Sequence, residues 1–442
     1  MTFAQASAYL LSTIDEAASR REPYRLDRMR AFLHELGDPQ DAYPTVHVGG
    51  TSGKGSTSTM AASILTASGK KTGLHTKPHL RSMVERARID GVAVSEERFA
   101  ELLADMMPAI SRTARAHGRP SYYETLLALA FLHFAREAVD VAVIEVGIGG
   151  KLDGTNVLRP RVSVITNVGL DHTEILGDTL EKIAADKAGI AKSGVPLVSA
   201  VEDAGPREVI ERACARAGAP FISVLDRTQV SAARAEPKYA QRFTLTTPEG
   251  IYDVRLPLLG EFQQRNAATA VLALEQLDAD LRPHRSDVEE GLARTALVGR
   301  MEYVPSRPGV VFDVAHNPDK ALRLAESLVP AFPGRRFRFV VAIGESKDAQ
   351  GILGAFAPVA ESMVFTTFTA AGRFAVSPEA LRERAGALGV NAVAVSDPVE
   401  AFSAARASAS PDDVIVVTGS TFVVAELRQW CLEHVAAERS AN

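Results

Sequence analysis

Cysteine is nearly missing from this chain: Cys214 and Cys431 are the two thiols among 442 residues, and they lie far apart. Two such residues build neither a disulfide framework nor a Cys-rich zinc site, and they fit a reducing compartment. Basic excess is missing too. Lysine and arginine number 49 against 54 acidic residues, a formal net charge of −5, and no basic block occurs. Nucleic acids and anionic membranes are therefore poor partners. No apolar stretch approaches the roughly 18 uncharged residues that a bilayer span needs. Residues 1–12 lack a basic n-region, and Asp15 and Glu16 follow closely, so no signal peptide is expected and the expected location is the cytoplasm. Internal repeats and low-complexity linkers are also missing. What remains is an ordinary globular composition, 46% apolar and 23% charged. At about 150 residues per domain the length suits two or three domains.

The rest of the chain alternates short β-branched runs with longer helical patterns. The spacing predicts a strand over 44–48, a glycine-rich turn, and a helix over 54–68. Residues 139–146 (VDVAVIEV) and 161–167 (RVSVITN) are apolar runs closed by turn signals, as buried parallel strands are. Helical patterns cover 96–117, 121–137, 180–191 and 206–217. Polar and apolar residues alternate over 241–256 around Pro248-Glu249-Gly250, which predicts a β-hairpin at the edge of the first domain, with a helix over 264–277 after it. Past Val298-Gly299-Arg300 the alternation restarts, with strands predicted over 310–314, 337–343, 362–367, 391–395 and 413–418. That series implies a second doubly wound domain. The fold class is thus α/β with mostly parallel sheets, divided as 1–297 and 298–442.

The sharpest local signal is Gly49-Gly50-Thr51-Ser52-Gly53-Lys54-Gly55-Ser56-Thr57, set between a predicted strand and a predicted helix. Glycines let such a loop aim several N–H groups at phosphate oxygens. The helix N-terminus adds partial positive charge, and Lys54 can reach the β- and γ-phosphates. A hydroxyl from Ser56 or Thr57 is a candidate Mg²⁺ ligand. The general G-x-x-x-x-G-K-[ST] pattern is not met, because Gly55 follows Lys54. Alone, the loop indicates nucleotide-phosphate binding, and the plainer alternative is a glycine-rich turn before a helix.

Glu145 ends an otherwise apolar strand, where a charge is costly unless it meets a cation. Ligands bind at the carboxyl ends of parallel strands in open α/β sheets. Glu145 therefore reads as a metal ligand or water polariser, or else as a salt-bridged strand end. Asp171 and His172 follow the next strand and would share its edge. Glu145, His172 and a loop hydroxyl suit a divalent cation bridging phosphates, although a purely structural hydrogen bond would also account for His172. Lys187 is either a solvated helix residue or a lysine converted by CO₂ to a carbamate, an anionic ligand for a second metal. In the second series, Asn317 and Pro318 suit a helix cap and first helical position, which leaves Asp313 and His316 unexplained. Residues 413–420 (DVIVVTGS) run from a strand into a turn that suits a carboxylate or ribose.

In their order and spacing these pieces resemble the folylpolyglutamate synthase and dihydrofolate synthase family, the folate branch of the Mur-type ATP-dependent amide ligases. Gly50–Ser56 is similar to that family's G-T-N-G-K-G-S loop, including the glycine after lysine. Pro78-His79-Leu80 with Glu85-Arg86, EVGIGGKLDGTN at 145–156, TNVGLDH at 166–172, EKIAADKAGI at 181–190, Gly260-Glu261-Phe262-Gln263 with Asn266, Gly299-Arg300-Met301-Glu302 and Asp313–Pro318 resemble its other motifs.

The resemblance implies a P-loop ATPase domain and a smaller Rossmann-like domain, ATP and two Mg²⁺ ions as cofactors, and folate or dihydropteroate and L-glutamate as substrates. It further implies an acyl-phosphate intermediate and a monomer. Carried over residue by residue, Thr51–Thr57, Asn266, Arg300 and Asp313 would bind nucleotide. Ser56, Glu145, His172 and a carbamylated Lys187 would hold metal. Lys54, His172 and Lys187 would serve catalysis, and His316 and Ser420 would position the amino acid.

Three departures stand out: Lys77 replaces the family's serine before Pro-His, a serine that helps to hold Mg²⁺; Ser52 replaces an asparagine; and Phe262 replaces a histidine. Lys77 keeps a second reading open, the same chemistry on a non-folate carboxylate. A P-loop nucleotidase or kinase forming no amide, and a non-catalytic nucleotide binder, are the readings from other classes.

Overall fold

A computed structural model describes residues 1–14, 26–236, 240–370 and 373–434; Asp15 and Glu16 lie outside them. The described chain forms two compact units. One takes in Met1–Ala233, Arg242–Leu256 and Phe262–Thr295, the other Arg234–Gln241, Pro257–Glu261 and Ala296–Asn442. Among the described residues no helix is long and apolar enough to cross a membrane.

The first unit is built on an eight-stranded sheet: β1 (Thr45–Gly49), β2 (Thr72–His75), β3 (Arg88–Ile89), β4 (Val92–Ala93), β5 (Val141–Glu145), β6 (Val162–Ile165), β7 (Leu197–Ser199) and β8 (Phe221–Ser223). Their order is β4-β3-β2-β5-β1-β6-β7-β8. All neighbours from β2 to β8 run parallel, and β3 and β4 add an antiparallel edge. Every residue of β1 and β5 is buried, as apolar runs covered on both faces must be. Helices Glu96–His117 and Tyr122–Arg136 supply much of one buried face, with Phe99, Phe131 and Phe134 fully enclosed. From β1 the chain crosses toward β2, and from β6 it crosses the other way toward β7. The loops after β1 and β6 therefore part at a topological switch point, where open α/β sheets bind ligands.

The alternating segment 241–256 is a hairpin of β11 (Ala240–Thr247) and β12 (Gly250–Leu256), joined by the short strands β9 (Gln229–Val230) and β10 (Arg234–Glu236) in a separate four-stranded sheet. The second unit holds β13 (Glu302–Val304), β14 (Gly309–Phe312), β15 (Phe337–Val341), β16 (Ala360–Phe365), β17 (Ala392–Ala394) and β18 (Val414–Thr418), in the order β13-β14-β18-β15-β16-β17. Only the β13–β14 pair is antiparallel. The predicted strands and helices of this half are all present.

Two segments differ from the sequence expectation. The helix expected over 180–191 stops at Lys187 and tightens into a 3₁₀ turn, Ala188–Ile190, because Gly189 packs against Lys151 and its carbonyl accepts from Asn156 Nδ2 at 3.1 Å. The helix expected over 264–277 is Glu261–Leu274, starting directly after Gly260, whose φ of 97° ends the preceding extended chain.

Helix Arg285–Arg294 lies so close to helix Lys54–Ala67 that a Cβ on Gly291 would stand 2.4 Å from Ile64 Cα. Gly291→Ala gains about 1 kcal/mol of helix propensity, but overpacking against backbone costs about 1–3 kcal/mol. The expected net result is a lower urea midpoint; an unchanged or higher midpoint would contradict this contact.

Candidate functional site

The loop after β1 is fastened to the turn after β6. Thr166 Oγ1 donates to Ser52 O at 2.6 Å, with Gly49 O a second acceptor at 3.2 Å. Asn167 Oδ1 accepts Ser52 N–H at 2.7 Å and Thr51 N–H at 3.1 Å. Thr51 Oγ1 takes the Gly169 N–H at 3.0 Å. This arrangement requires glycine at position 50, since a Cβ there would meet Thr166 Oγ1 at 1.9 Å. With the first two loop amides satisfied internally, the donors at the start of helix Lys54–Ala67 remain as the anion cradle. Gly53, at φ 80°, begins that helix. Lys54 Nζ folds over the loop onto Gly50 O and Thr51 O, at 2.8 and 3.0 Å. The buried hydroxyls Ser52 Oγ and Thr57 Oγ1 make no hydrogen bond, and Ser56 is buried beside them.

Asn266 and Glu145 close in on the same loop. Asn266 Nδ2 donates to Gln263 Oε1 at 2.9 Å, and its Oδ1 lies 2.5 Å from where a Gly53 Cβ would be. Glu145 is 3% exposed, and its Oε2 lies 3.4 Å from the corresponding point on Gly55. That oxygen also accepts the Lys77 backbone N–H at 3.0 Å. The 77–86 loop is shaped by Glu85, whose carboxylate accepts N–H groups of Leu80, Arg81 and Ser82 at 2.8–2.9 Å. Burial opposes ionisation of Glu85, but those three donors outweigh it and hold its carboxyl below the usual range. Arg86 Nε donates to His79 Nδ1 at 3.0 Å.

Lys187 is placed by the glycine turn after β5. Gly150 has no Cβ, which lets Lys187 O lie 2.7 Å from where one would stand. Lys151 N–H donates to Asp186 O at 3.0 Å. Lys187 is 3% exposed; burial pushes its amine down to about 8, against the attraction of Asp186 and Asp171. Asp153, fully buried, accepts from Ile148 N, Thr155 N, Thr155 Oγ1 and Tyr123 Oη at 2.6–3.1 Å, so it braces this turn. His172 sits at φ 51°, its Nε2 3.9 Å from Asp171 Oδ1.

In the second unit, Asp313 directly follows β14 and accepts Met301 N–H and Ala315 N–H, both at 2.8 Å. Burial raises its carboxyl, and the nearby Arg300 cation works against that. His316 Nδ1 donates to Val314 O at 2.7 Å, leaving Nε2 as the acceptor toward Lys320 Nζ at 3.4 Å. Burial, helped by Lys320, pushes His316 to about 3, so the ring is neutral. Ser420 lies alongside: Gly419 N–H donates to Ala315 O at 3.0 Å, and Ser420 Oγ accepts Phe422 N–H at 3.1 Å. Asn317 caps helix Pro318–Ala331 through Lys320 N–H. Glu302 of the Gly-Arg-x-Glu motif grips Arg428 with two bonds of 2.6 and 2.7 Å, which anchors helix Thr421–His434.

The structure thus gathers residues 51–57, Asn266 and Glu145 in the first unit, with Lys187 in electrostatic reach of Asp171. Arg300, Asp313, His316 and Ser420 share one sheet edge of the second. Oxygen donors beside a loop with orphaned hydroxyls suit a hard divalent cation carried on phosphates. Asn167 stands in the TNVGLDH motif, but its role as a clamp has no local signal, because a polar residue after a strand is an everyday turn signal.

Comparison with known proteins agrees over nearly the whole length. The Mur ligase middle domain matches residues 48–274, and the Mur ligase glutamate ligase domain matches residues 299–421. The dihydrofolate synthase/folylpolyglutamate synthase of Bacillus subtilis is 33% identical over 412 residues, covering 91% of this chain and 94% of that protein. Folylpolyglutamate synthase from Mycobacterium tuberculosis, solved with ADP, superposes with a TM-score of 0.87 at 33% identity, covering 97% and 98% of the two chains. Escherichia coli FolC in complex with DHPP and ADP gives 0.86 at 28% identity, with 98% of each chain covered.

Removing the Asn167 clamp should disturb nucleotide binding without touching the nucleotide. Two hydrogen bonds of about 1 kcal/mol each predict that Asn167→Ala weakens ADP binding by about 5- to 30-fold in calorimetry. Unchanged affinity would refute the clamp.

Proposed function

The chain belongs to the folylpolyglutamate synthase and dihydrofolate synthase family of Mur-type ligases, and from that premise we propose that it uses ATP to join L-glutamate to the carboxylate of a folate or dihydropteroate. The observation that carries this reading is the clamped phosphate loop with the Glu145 carboxylate against Gly55. It is a site that binds polyphosphate and has an oxygen ligand ready for its counter-ion.

A substrate carboxylate oxygen attacks the γ-phosphorus, the bond to the bridging oxygen breaks, and ADP leaves with that electron pair. The glutamate amine then adds to the acyl-phosphate carbon and expels phosphate. Phosphoryl transfer asks the protein for positioning and charge neutralisation above all. Amides at the start of helix Lys54–Ala67 hold the phosphates, and Lys54 exchanges the Gly50 and Thr51 carbonyls for phosphate oxygens. Ser56 and Glu145 would hold one Mg²⁺, and His172 with a carbamylated Lys187 would serve a second metal position. Magnesium bound there lowers the charge on the transferring phosphoryl oxygens. A buried amine held near 8 is more often neutral than a solvated lysine, which addition to CO₂ requires.

Asn266, Arg300 and Asp313 are assigned to the nucleotide, and His316 and Ser420 to glutamate. A neutral His316, its unprotonated Nε2 released by Lys320, can accept from the glutamate ammonium and, after deprotonation, orient its amine. The buried free thiols Cys214 and Cys431 support a cytoplasmic setting, and the chain is read as a monomer acting on small molecules. Lys77 favours one competing reading, ligation to a different carboxylate.

ADP release with Mg-ATP and L-glutamate decides between these. Stimulation by dihydropteroate or tetrahydrofolate, with a glutamylated product by mass, is the expected result. ADP release indifferent to every pterin would transfer the substrate elsewhere. Lys54→Ala should lower turnover by about 10³-fold, as loss of a charge on the transferred phosphoryl does; retained turnover would reject the loop assignment. Lys187→Ala should lose activity that bicarbonate does not restore, and full activity would reject the carbamate.

A further inference from the structure

In the second sheet β18 lies between β14 and β15, so the turns that follow these three strands meet along one edge. They meet closely. Gly419 N–H donates to Ala315 O at 3.0 Å, and a Cβ on Gly419 would stand 2.7 Å from Ala342 O. His316 leaves the turn after β14, and Ser420 the turn after β18. Lys320 belongs to the same corner. Asn317 caps helix Pro318–Ala331 through the Lys320 N–H, which sets the lysine in the first turn, and its Nζ comes back to His316 Nε2 at 3.4 Å.

That contact has a direction. His316 Nδ1 donates to the Val314 carbonyl, so Nε2 is bare and Lys320 is the donor. At 3.4 Å the bond is longer than the about 2.7–3.2 Å of a well-made one, and a better-placed donor can replace it at little cost. Charge decides what that donor brings with it. Burial keeps His316 neutral, and the cations of Lys320, Lys347 and Arg300 act in the same sense, against the Val314 carbonyl. Two nearby acids are committed elsewhere: Asp313 gives one oxygen to Met301 N–H and the other to Ala315 N–H, and Asp319 accepts from Arg323 at 3.3 Å. An ammonium arriving alone would add one more positive charge to a half-buried corner, where like charges are weakly screened. An α-amino acid carries the answering anion on the carbon that bears its amine.

Resting on the ligase reading above, we propose that Lys320 is a specificity-determining residue for the incoming amino acid: the glutamate ammonium takes its place on His316 Nε2, and the released Lys320 ammonium binds the α-carboxylate of the same glutamate. The resting Lys320–His316 contact then holds both groups where the substrate needs them. Lysine suits this exchange as a compact point charge with three rotatable donors, and the start of helix Pro318–Ala331 adds partial positive charge beside it. The side-chain carboxylate stands further along the glutamate and is left to other groups.

Steady-state ADP release with Mg-ATP and a pterin substrate tests this by comparing L-glutamate with its α-amide, isoglutamine. The native chain is expected to show a KM for L-glutamate about 10- to 100-fold below that for isoglutamine, the difference a charge-assisted hydrogen bond makes. Lys320→Met keeps the apolar stem and removes the charge. It is expected to raise the L-glutamate KM by a similar factor while the KM values for isoglutamine and ATP stay where they are. Equal KM values for the two amino acids on the native chain would overturn the proposal whether or not the variant folds. A folded Lys320→Met that keeps the native preference, or raises both KM values alike, would overturn it as well. Absence of glutamate-dependent ADP release from the native chain with either dihydropteroate or tetrahydrofolate would instead overturn the ligase reading on which the proposal rests.

Discussion

A loop that binds phosphate through its backbone must leave N–H groups unsatisfied and still keep a fixed shape, and the first unit resolves that conflict at the adjoining ends of β1 and β6. The free amides cannot brace the loop themselves. Asn167 and Thr166 brace it from the neighbouring strand, taking two of its amides and one of its carbonyls. Parallel pairing of β1 with β6 fixes where those side chains emerge. Gly50 follows from this, because the Thr166 hydroxyl occupies the space a Cβ would need. The backbone left over, at the start of a helix, carries the partial positive charge that a polyphosphate seeks.

The same economy of close approach places the other charged groups. The turn after β5 is rich in glycine because two things crowd it: the Asp153 carboxylate and Tyr123 hydroxyl at Gly147, and the Lys187 backbone at Gly150. Side chains at those positions would push helix Leu180–Lys187 away and take the buried amine of Lys187 with it. That amine lies far down the chain from the phosphate loop, yet its position is set by backbone contact, not by a flexible side-chain reach. Interiors packed to this density shift as units when one contact changes.

Much of this was legible in the residues. The β-branched runs over 139–146 and 161–167 indicated buried parallel strands, and Gly-Lys between a strand and a helix indicated phosphate. The unread parts have physical reasons. β2 is a four-residue TGLH segment in which the Phe134 ring and Ala142 stand 3.0–3.1 Å from where a Gly73 Cβ would be, and glycine and histidine carry little strand signal. β7 and β8 are three residues each, too short to show a period. The clamp role of Asn167, itself part of the TNVGLDH motif, was hidden because its work is a contact to residues 115 and 116 positions away, which no local spacing reveals. Glu302 belongs to the Gly-Arg-x-Glu motif that carries Arg300, and only the fold shows its carboxylate spent on Arg428.

Four acidic or amide side chains near strand ends, Glu85, Asp153, Asn167 and Asp313, act alike, each accepting backbone N–H groups from a neighbouring turn. A charge or amide at such a place costs free energy unless it is hydrogen-bonded, so commitment of its oxygens to backbone donors is sufficient reason for its presence. This separates scaffold from chemistry within motifs that sequence alone treats as uniform. Asp153 has both oxygens occupied and belongs to the scaffold. Glu145 gives one oxygen to a backbone donor, on the loop that carries Lys77, and so couples the proposed metal ligand to that loop. A displacement of that loop therefore acts on Glu145, while the phosphate loop, held from the end of β6, keeps its own bonds.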